Sequence, residues 1–160
     1  MSNFTKQQKD FMLIAIKLSI ANVIKKRGPF GAVVVKDGKI IAKAANRVTI
    51  DNDPTAHAEV VAIRKACKVL KSFQLTGCDI YTSCEPCPMC LAAIYWARPS
   101  RIFYANTKAD AKAIGFDDSF IYDEIAKSMT ERAIPSEQML PNEALVAFEN
   151  WKESVDKVEY

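Results

Sequence analysis

The sequence holds a single histidine, His57, so any site that needs an imidazole must be built on that residue. A metal centre with three histidine ligands is thereby excluded. No stretch approaches the ~20 consecutive apolar residues of a membrane-spanning helix. The opening MSNFTKQQKD puts polar side chains ahead of any apolar run and does not read as a secretory leader. Repeats and low-complexity tracts are missing. A strong excess of one charge is missing too: 22 Lys and Arg stand against 19 Asp and Glu, a net +3. The basic residues are scattered. Lys25-Lys26-Arg27 is the one dense cluster, and a solvated helix end accounts for it more simply than a nucleic-acid surface does. Neither a nucleic acid nor a membrane is expected as a partner. The five cysteines are odd in number and three of them cluster. That argues against a disulfide framework and for a reducing, cytoplasmic setting.

With 160 residues, 49% apolar and 26% charged, the chain is expected to form one domain, 1–160, with a proper core. It is organised around Tyr81 to Trp96, YTSCEPCPMCLAAIYW. An apolar strand over 79–82 turns through Ser83-Cys84-Glu85-Pro86 into an Ala-rich helix. Cys87 and Cys90 fall in the first turn of that helix, three apart and on one face. Pro86 suits a helix start, where a missing N–H costs nothing. The positive helix end favours thiolates. Two thiolates alone do not complete a zinc site. His57, within Thr55-Ala56-His57-Ala58-Glu59, supplies a third ligand. Three protein ligands leave a fourth position for water, as a catalytic zinc requires. Two thiolates cancel the charge of the ion, so the water needs help from a nearby base and from helix N-termini. Glu59 is the candidate base. Zinc-bound hydroxide would attack an amino-bearing ring carbon, and Glu59 would carry protons to a ring nitrogen and to the departing amine.

Lys6 to Arg27 reads as a helix stopped by Gly28-Pro29. A hairpin follows: Ala32 to Lys36, the turn Asp37-Gly38, then Lys39 to Ala45. Val33-Val34-Val35 suits a strand buried on both faces. Asp53 reads as the N-cap of the next helix and Pro54 as its first residue, which puts His57 and Glu59 in the opening turns. Arg101 to Ala105 is a further strand. The order hairpin, helix, strand, helix, strand predicts an α/β fold with a parallel portion of sheet covered on both faces. Both metal helices then begin at one sheet edge. Phe30 and Asn46 flank the hairpin; each is either a core or turn residue or the border of a pocket at the strand ends. Asp117 or Asp118 either caps a helix over 119–127 or faces that pocket. Asn142 to Val158 reads as a last helix whose stripe of Leu145, Phe148, Trp151 and Val155 packs at home or on a partner subunit.

The pairing of H-x-E with P-C-x-x-C is the known signature of zinc nucleobase deaminases, a match by pattern and not a derivation. With GPFGAVVVKDG, NDPTAHAEVVAIRKACKVL and YTSCEPCPMCLAAIYWARP, the chain resembles the cytidine deaminase-like superfamily over nearly its whole length. GFDDSF and the terminal EY resemble, within it, the small bacterial guanine deaminases. The resemblance implies a three-layer α/β/α fold with a mixed five-stranded sheet. It implies one zinc per subunit on His57, Cys87 and Cys90, Glu59 as proton shuttle, and guanine hydrolysed to xanthine and ammonia. Phe30, Asn46, Trp96, Asp118 and Tyr160 would surround the base, with Asp118 also relaying a proton. A homodimer is implied, in which the segment from about 130 to 160 crosses to the partner. Chemistry is compatible with these roles: a carboxylate accepts from the amino group and N–H edge of guanine, and Phe30 and Trp96 can hold a planar purine.

The same signature serves tRNA adenosine deaminases, which need a basic groove for phosphates, and free-base cytosine deaminases. A reading from another class is a closed, non-catalytic zinc module with Cys84 as fourth ligand.

Overall fold

The computed structural model describes residues 3–160. They divide into two compact units, one running up to Asp118 and the other spanning Ser119–Tyr160. Thr5 opens the first helix, α1 (Lys6–Ile24), with a capping box: its hydroxyl accepts from Gln8 N while the Gln8 side chain accepts from Thr5 N. This helix stops short of the expected Arg27. Lys26 turns left-handed (φ 58°), and the amides of Lys26 and Arg27 return to the carbonyls of Val23 and Asn22. That is a Schellman close, made without glycine.

Gly31 begins β1 (Gly31–Lys36), and α1 lies against it so closely that a Cβ there would come 2.4 Å from the Ala15 carbonyl oxygen. Asp37 and Gly38, both at positive φ, make the tight turn into β2 (Lys39–Ala45). A short α2 (Val48–Asp51) and α3 (Ala58–Leu70) follow. Then β3 (Cys78–Cys84), α4 (Pro88–Ala97) and β4 (Arg101–Asn106) form a strand–helix–strand unit that leads into α5 (Lys108–Ala113).

The sheet order is β2-β1-β3-β4, with β1 antiparallel to both neighbours and β3 parallel to β4. The mixed sheet therefore has four strands where five were expected. Among the described residues no strand follows Asn106. Thr107 and Asp110 form a capping box there and divert the chain into α5.

Alternation along β1 sets the layers. Ala32 and Val34 face α3 and α4 in a cluster with Ala58, Ala62, Ala66, Ile80, Ile94 and Ala97. Val33 and Val35 face α1, with Ala15, Tyr81, Phe11 and Leu18. Three layers, α/β/α, result, and the run Val33-Val34-Val35 is covered on both sides as its composition predicts. Fully buried side chains such as Ile80 and Ile94 contribute roughly 1.5–3 kcal/mol each. The two layers meet at β3, so this strand is the rigid centre from which the site is built.

The second unit holds α6 (Ser119–Ala126), a 3-10 turn (Met129–Glu131) and α7 (Pro141–Glu153). Arg132 ties it together by donating to the carbonyls of Glu124, Ile125 and Lys127 at the end of α6. The Glu124 carboxylate accepts in turn from Ala133 N and pairs with Lys127. The last helix ends at Glu153 and not at Val158, because Ser154 takes an extended conformation. Among the described residues no helix is long and apolar enough to cross a membrane.

Candidate active site and metal centre

His57 and Cys87 occupy equivalent places. Each is the N-cap of its helix, His57 of α3 (φ −65°, ψ 155°) and Cys87 of α4 (φ −64°, ψ 167°). Neither caps its own helix through the side chain; each turns to the other. The expectation that Asp53 caps this helix is corrected. Its carboxylate accepts from Thr55 N and Oγ1 and stabilises a turn, so helix α3 starts only at Ala58. At α4 the proline in the first helical position is Pro88, not Pro86.

His57 Nδ1 lies 3.5 Å from Cys87 Sγ and 3.5 Å from Cys90 Sγ. The three donor atoms lie within 4.8 Å of one another. This set fits zinc. A nitrogen about 2.05 Å and a sulfur about 2.3 Å from a tetrahedral ion are about 3.5 Å apart, which is the separation His57 makes with each cysteine. Hydrogen bonding with Cys90 holds the Cys87 thiol down at about 4, and Cys87 in turn holds the His57 imidazole above its usual range. Cys90 sits well above the ordinary thiol range because it keeps its proton toward Cys87. A divalent cation held there by Cys87 and Cys90 would take the place of that proton.

Cys84 stands outside the donor set. Its thiol points to the Thr107 carbonyl at 3.5 Å, and burial pushes it up to about 11. A closed module with Cys84 as fourth ligand therefore has no support in the geometry.

Glu59, the second residue of α3, is only 4% exposed. One carboxylate oxygen, Oε1, accepts from Thr82 Oγ1 at 3.0 Å, while Oε2 lies 3.5 Å from Cys90 Sγ. Burial raises its pKa, and the bond from Thr82 offsets part of the shift. Two residues two apart share no helix face, yet His57 and Glu59 reach one point because that point lies off the helix end.

The other expected residues are placed as follows. Phe30 and Asn46 are brought together at the ends of β1 and β2, where Asn46 N donates to the Phe30 carbonyl at 3.0 Å. Phe30 packs edge-on against Phe116, with centroids 5.0 Å apart. Asn46 is buried, and its Oδ1 accepts from Val48 N at 3.2 Å, so it does serve the turn. Asp117 pairs with Lys112 at 2.9 Å. Asp118 is half-buried, and its carboxyl is raised first by burial and then by the negative charge of Cys87. Of the two aspartates, then, Asp118 is the one raised by Cys87. Trp96 near the end of α4 is 63% exposed. Tyr160 belongs to the second unit and is exposed.

Sequence reasoning missed two residues. Thr82, buried in β3, holds Glu59. Asn22, buried in α1, donates from Nδ2 to the carbonyls of Gly28 and Asn46. The available signal was a polar side chain where the apolar pattern demands none.

Fold and site together define a class: a layered α/β protein with three donor atoms, fit to hold one metal ion, at the joined N-termini of two helices. Residues 5–106 match the cytidine and deoxycytidylate deaminase zinc-binding region. The chain belongs to that family, and its cofactor is zinc. It is 62% identical over 133 residues to the guanine deaminase of Bacillus subtilis (strain 168), covering 83% of this chain and 85% of that protein. To a tRNA-specific adenosine deaminase of Agrobacterium fabrum it is 43% identical over 98 residues, 61% of this chain and 64% of the relative. Among solved structures, the X-ray structure of guanine deaminase from Bacillus subtilis superposes with a TM-score of 0.92 at 57% identity, over 95% of this chain and 98% of that one. A guanine deaminase from Nitrosomonas europaea superposes at 0.66 and 31% identity, over 74% and 68%.

Proposed function

We propose that the protein hydrolyses guanine to xanthine and ammonia. His57, Cys87 and Cys90 hold the zinc, Glu59 moves the protons, and Phe30, Asn46, Trp96, Asp118 and Tyr160 surround the base. The observation that carries this reading is the buried Glu59 carboxyl, with one oxygen 3.5 Å from Cys90 Sγ and beside donors at zinc spacing. The identity of 62% to the Bacillus subtilis enzyme supports guanine as the base.

When bound, zinc supplies Lewis acidity that makes a water nucleophilic near neutral pH. Glu59 Oε2 accepts a proton of the attacking water and passes it to the ring nitrogen beside the amino-bearing carbon. It then moves the second proton to the departing amine, so guanine and water leave as xanthine and ammonia. A carboxyl raised by burial is matched to both accepting and donating near neutral pH. Asp118 accepts from the exocyclic amino group and the neighbouring N–H. Phe30 and Trp96 bear on the purine ring.

The working form is a homodimer in which the segment from about 130 to 160 crosses to the partner and brings Tyr160 to its site. Leu145, Phe148 and Trp151, at helical spacing on α7, are exposed and support a partner for that stripe. The five thiols are unbridged, which suits a reducing, cytoplasmic setting.

Ammonia release from guanine, cytosine, adenine and a cytidine nucleoside tests the reading. Release with guanine is expected. Release only with another base, or inosine formation in tRNA, overturns it.

A further inference from the structure

We infer that Thr82 is a positioning residue for this reaction, acting through Glu59; the inference rests on the reading of Glu59 as proton shuttle. Thr82 lies on the central strand β3 and is 1% exposed. Its neighbours in the sheet are Ala32 on β1 and Tyr104 on β4, so backbone pairing holds it from both sides. Its hydroxyl stands 3.0 Å from Glu59 Oε1 and 3.0 Å from the Cys84 carbonyl oxygen.

A hydroxyl has one proton to give and lone pairs to accept with. Facing two acceptors, it donates to the Glu59 carboxylate, or it accepts from a protonated Oε1 and donates to the Cys84 carbonyl. Contact with Oε1 persists in both arrangements. The tether makes the two carboxylate oxygens unequal. Oε1 is anchored to the sheet, and Oε2 is left turned toward Cys90 Sγ at 3.5 Å. A glutamate side chain otherwise has two staggered torsions and a broad terminal one, so without the anchor Oε2 would sample several positions. A shuttle must keep one oxygen within hydrogen-bond reach of both the water and the base, and a misplacement of about 1 Å costs on the order of 100-fold in rate.

The test is Thr82→Val, which keeps the shape and removes the hydroxyl, with Thr82→Ser as rescue. Thr82→Ala, measured alongside, carries the same expectation as Thr82→Val should the valine not fit. All are full-length and zinc-loaded. One zinc per chain and a guanine KM within about twofold of the parent are expected, with kcat lowered about 10- to 100-fold in the valine variant and largely restored by serine. Two readouts do not depend on turnover. The absorption bands of cobalt(II) bound in place of zinc should be unchanged, because the ligands are untouched, and a crystal structure of Thr82→Val should show Oε2 moved away from Cys90. An unimpaired kcat, a serine variant as slow as valine, loss of zinc or an unmoved Glu59 each overturns the assignment. Should the parent protein release no ammonia from guanine, the functional reading fails, and the Glu59 orientation in the variant crystal still decides the role of Thr82.

Discussion

At Glu59 burial raises the carboxyl pKa above its ordinary value. Such a group binds its proton more tightly in the folded protein than in the unfolded chain. Its contribution to stability is fully present below the ordinary carboxylate range and is lost as pH rises through the folded-state pKa. Glu59→Gln removes that loss. With zinc chelated, the variant should therefore be more stable than the parent, and the gap should widen as pH rises from 5, by up to about 1.4 kcal/mol per unit. Glu59 also raises His57, Cys84 and Cys90, and relieving those shifts in the variant widens the gap in the same direction. Urea unfolding at pH 5 to 8 measures the gap, and a gap that narrows with pH contradicts the burial argument. Reloaded with zinc, Glu59→Gln should bind the metal and lose about 100-fold or more of its turnover. The two adjacent aspartates separate in the same way. Asp118 feels the charge of Cys87, whereas Asp117 is paired with Lys112 at the surface. Asp118→Asn should lower kcat/KM by about 100-fold. Asp117→Asn removes an exposed pair worth about 0–1 kcal/mol and should leave kinetics unchanged.

Between elements, the Asn22 amide is the joint that ties the end of α1 to the ends of the hairpin. It donates to Gly28 O at 2.8 Å and to Asn46 O at 2.9 Å. The amides of Phe30 and Asn46 donate to the carbonyls of Gly28 and Phe30 and close the lattice. The end of α1 thus fixes both residues proposed to border the base. Asn22→Leu leaves the Asn46 carbonyl short of its donor at a cost of about 1–3 kcal/mol, while the Gly28 carbonyl still accepts from Phe30 N. It should lower the urea midpoint and raise the guanine KM more than it lowers kcat, with zinc content unchanged. A variant whose KM holds steady would show that the lattice is only structural. The sequence made this scale partly legible. Periodicity placed α1, the hairpin and the cysteine helix, and the metal ligands were readable because their chemistry allows few residue types. What escaped were side chains that serve the backbone of another element. Asn22 and Thr82 look like ordinary members of apolar stretches, and their partners are 24 and 23 residues away. Asp53 misled for the converse reason, since its short side chain serves Thr55 in a turn as readily as it serves a helix start.

For the whole molecule, the last helix calls for a cover. No residue of α6 or α7 is buried, and α7 exposes Leu145, Phe148 and Trp151. Apolar spacing tells that a helix needs cover but not which copy of the chain supplies it, so this part of the architecture was beyond the reach of the sequence pattern. Exchange of the segment between subunits predicts complementation. One chain carries Glu59→Ala with an intact tail; the other keeps Glu59 but lacks Tyr160. Each alone forms dimers with no working site, because every site misses either its shuttle or its closing residue. In a mixed dimer with exchanged tails, the chain that keeps Glu59 is closed by the intact tail of the other, and one of the two sites is whole. Equal amounts, unfolded and refolded together, put half of the chains into mixed dimers, so about a quarter of the parent activity should return. If each tail closes the site of its own chain, no mixture recovers anything. Ammonia release after co-refolding, with sedimentation to establish that mixed dimers formed, separates the two arrangements.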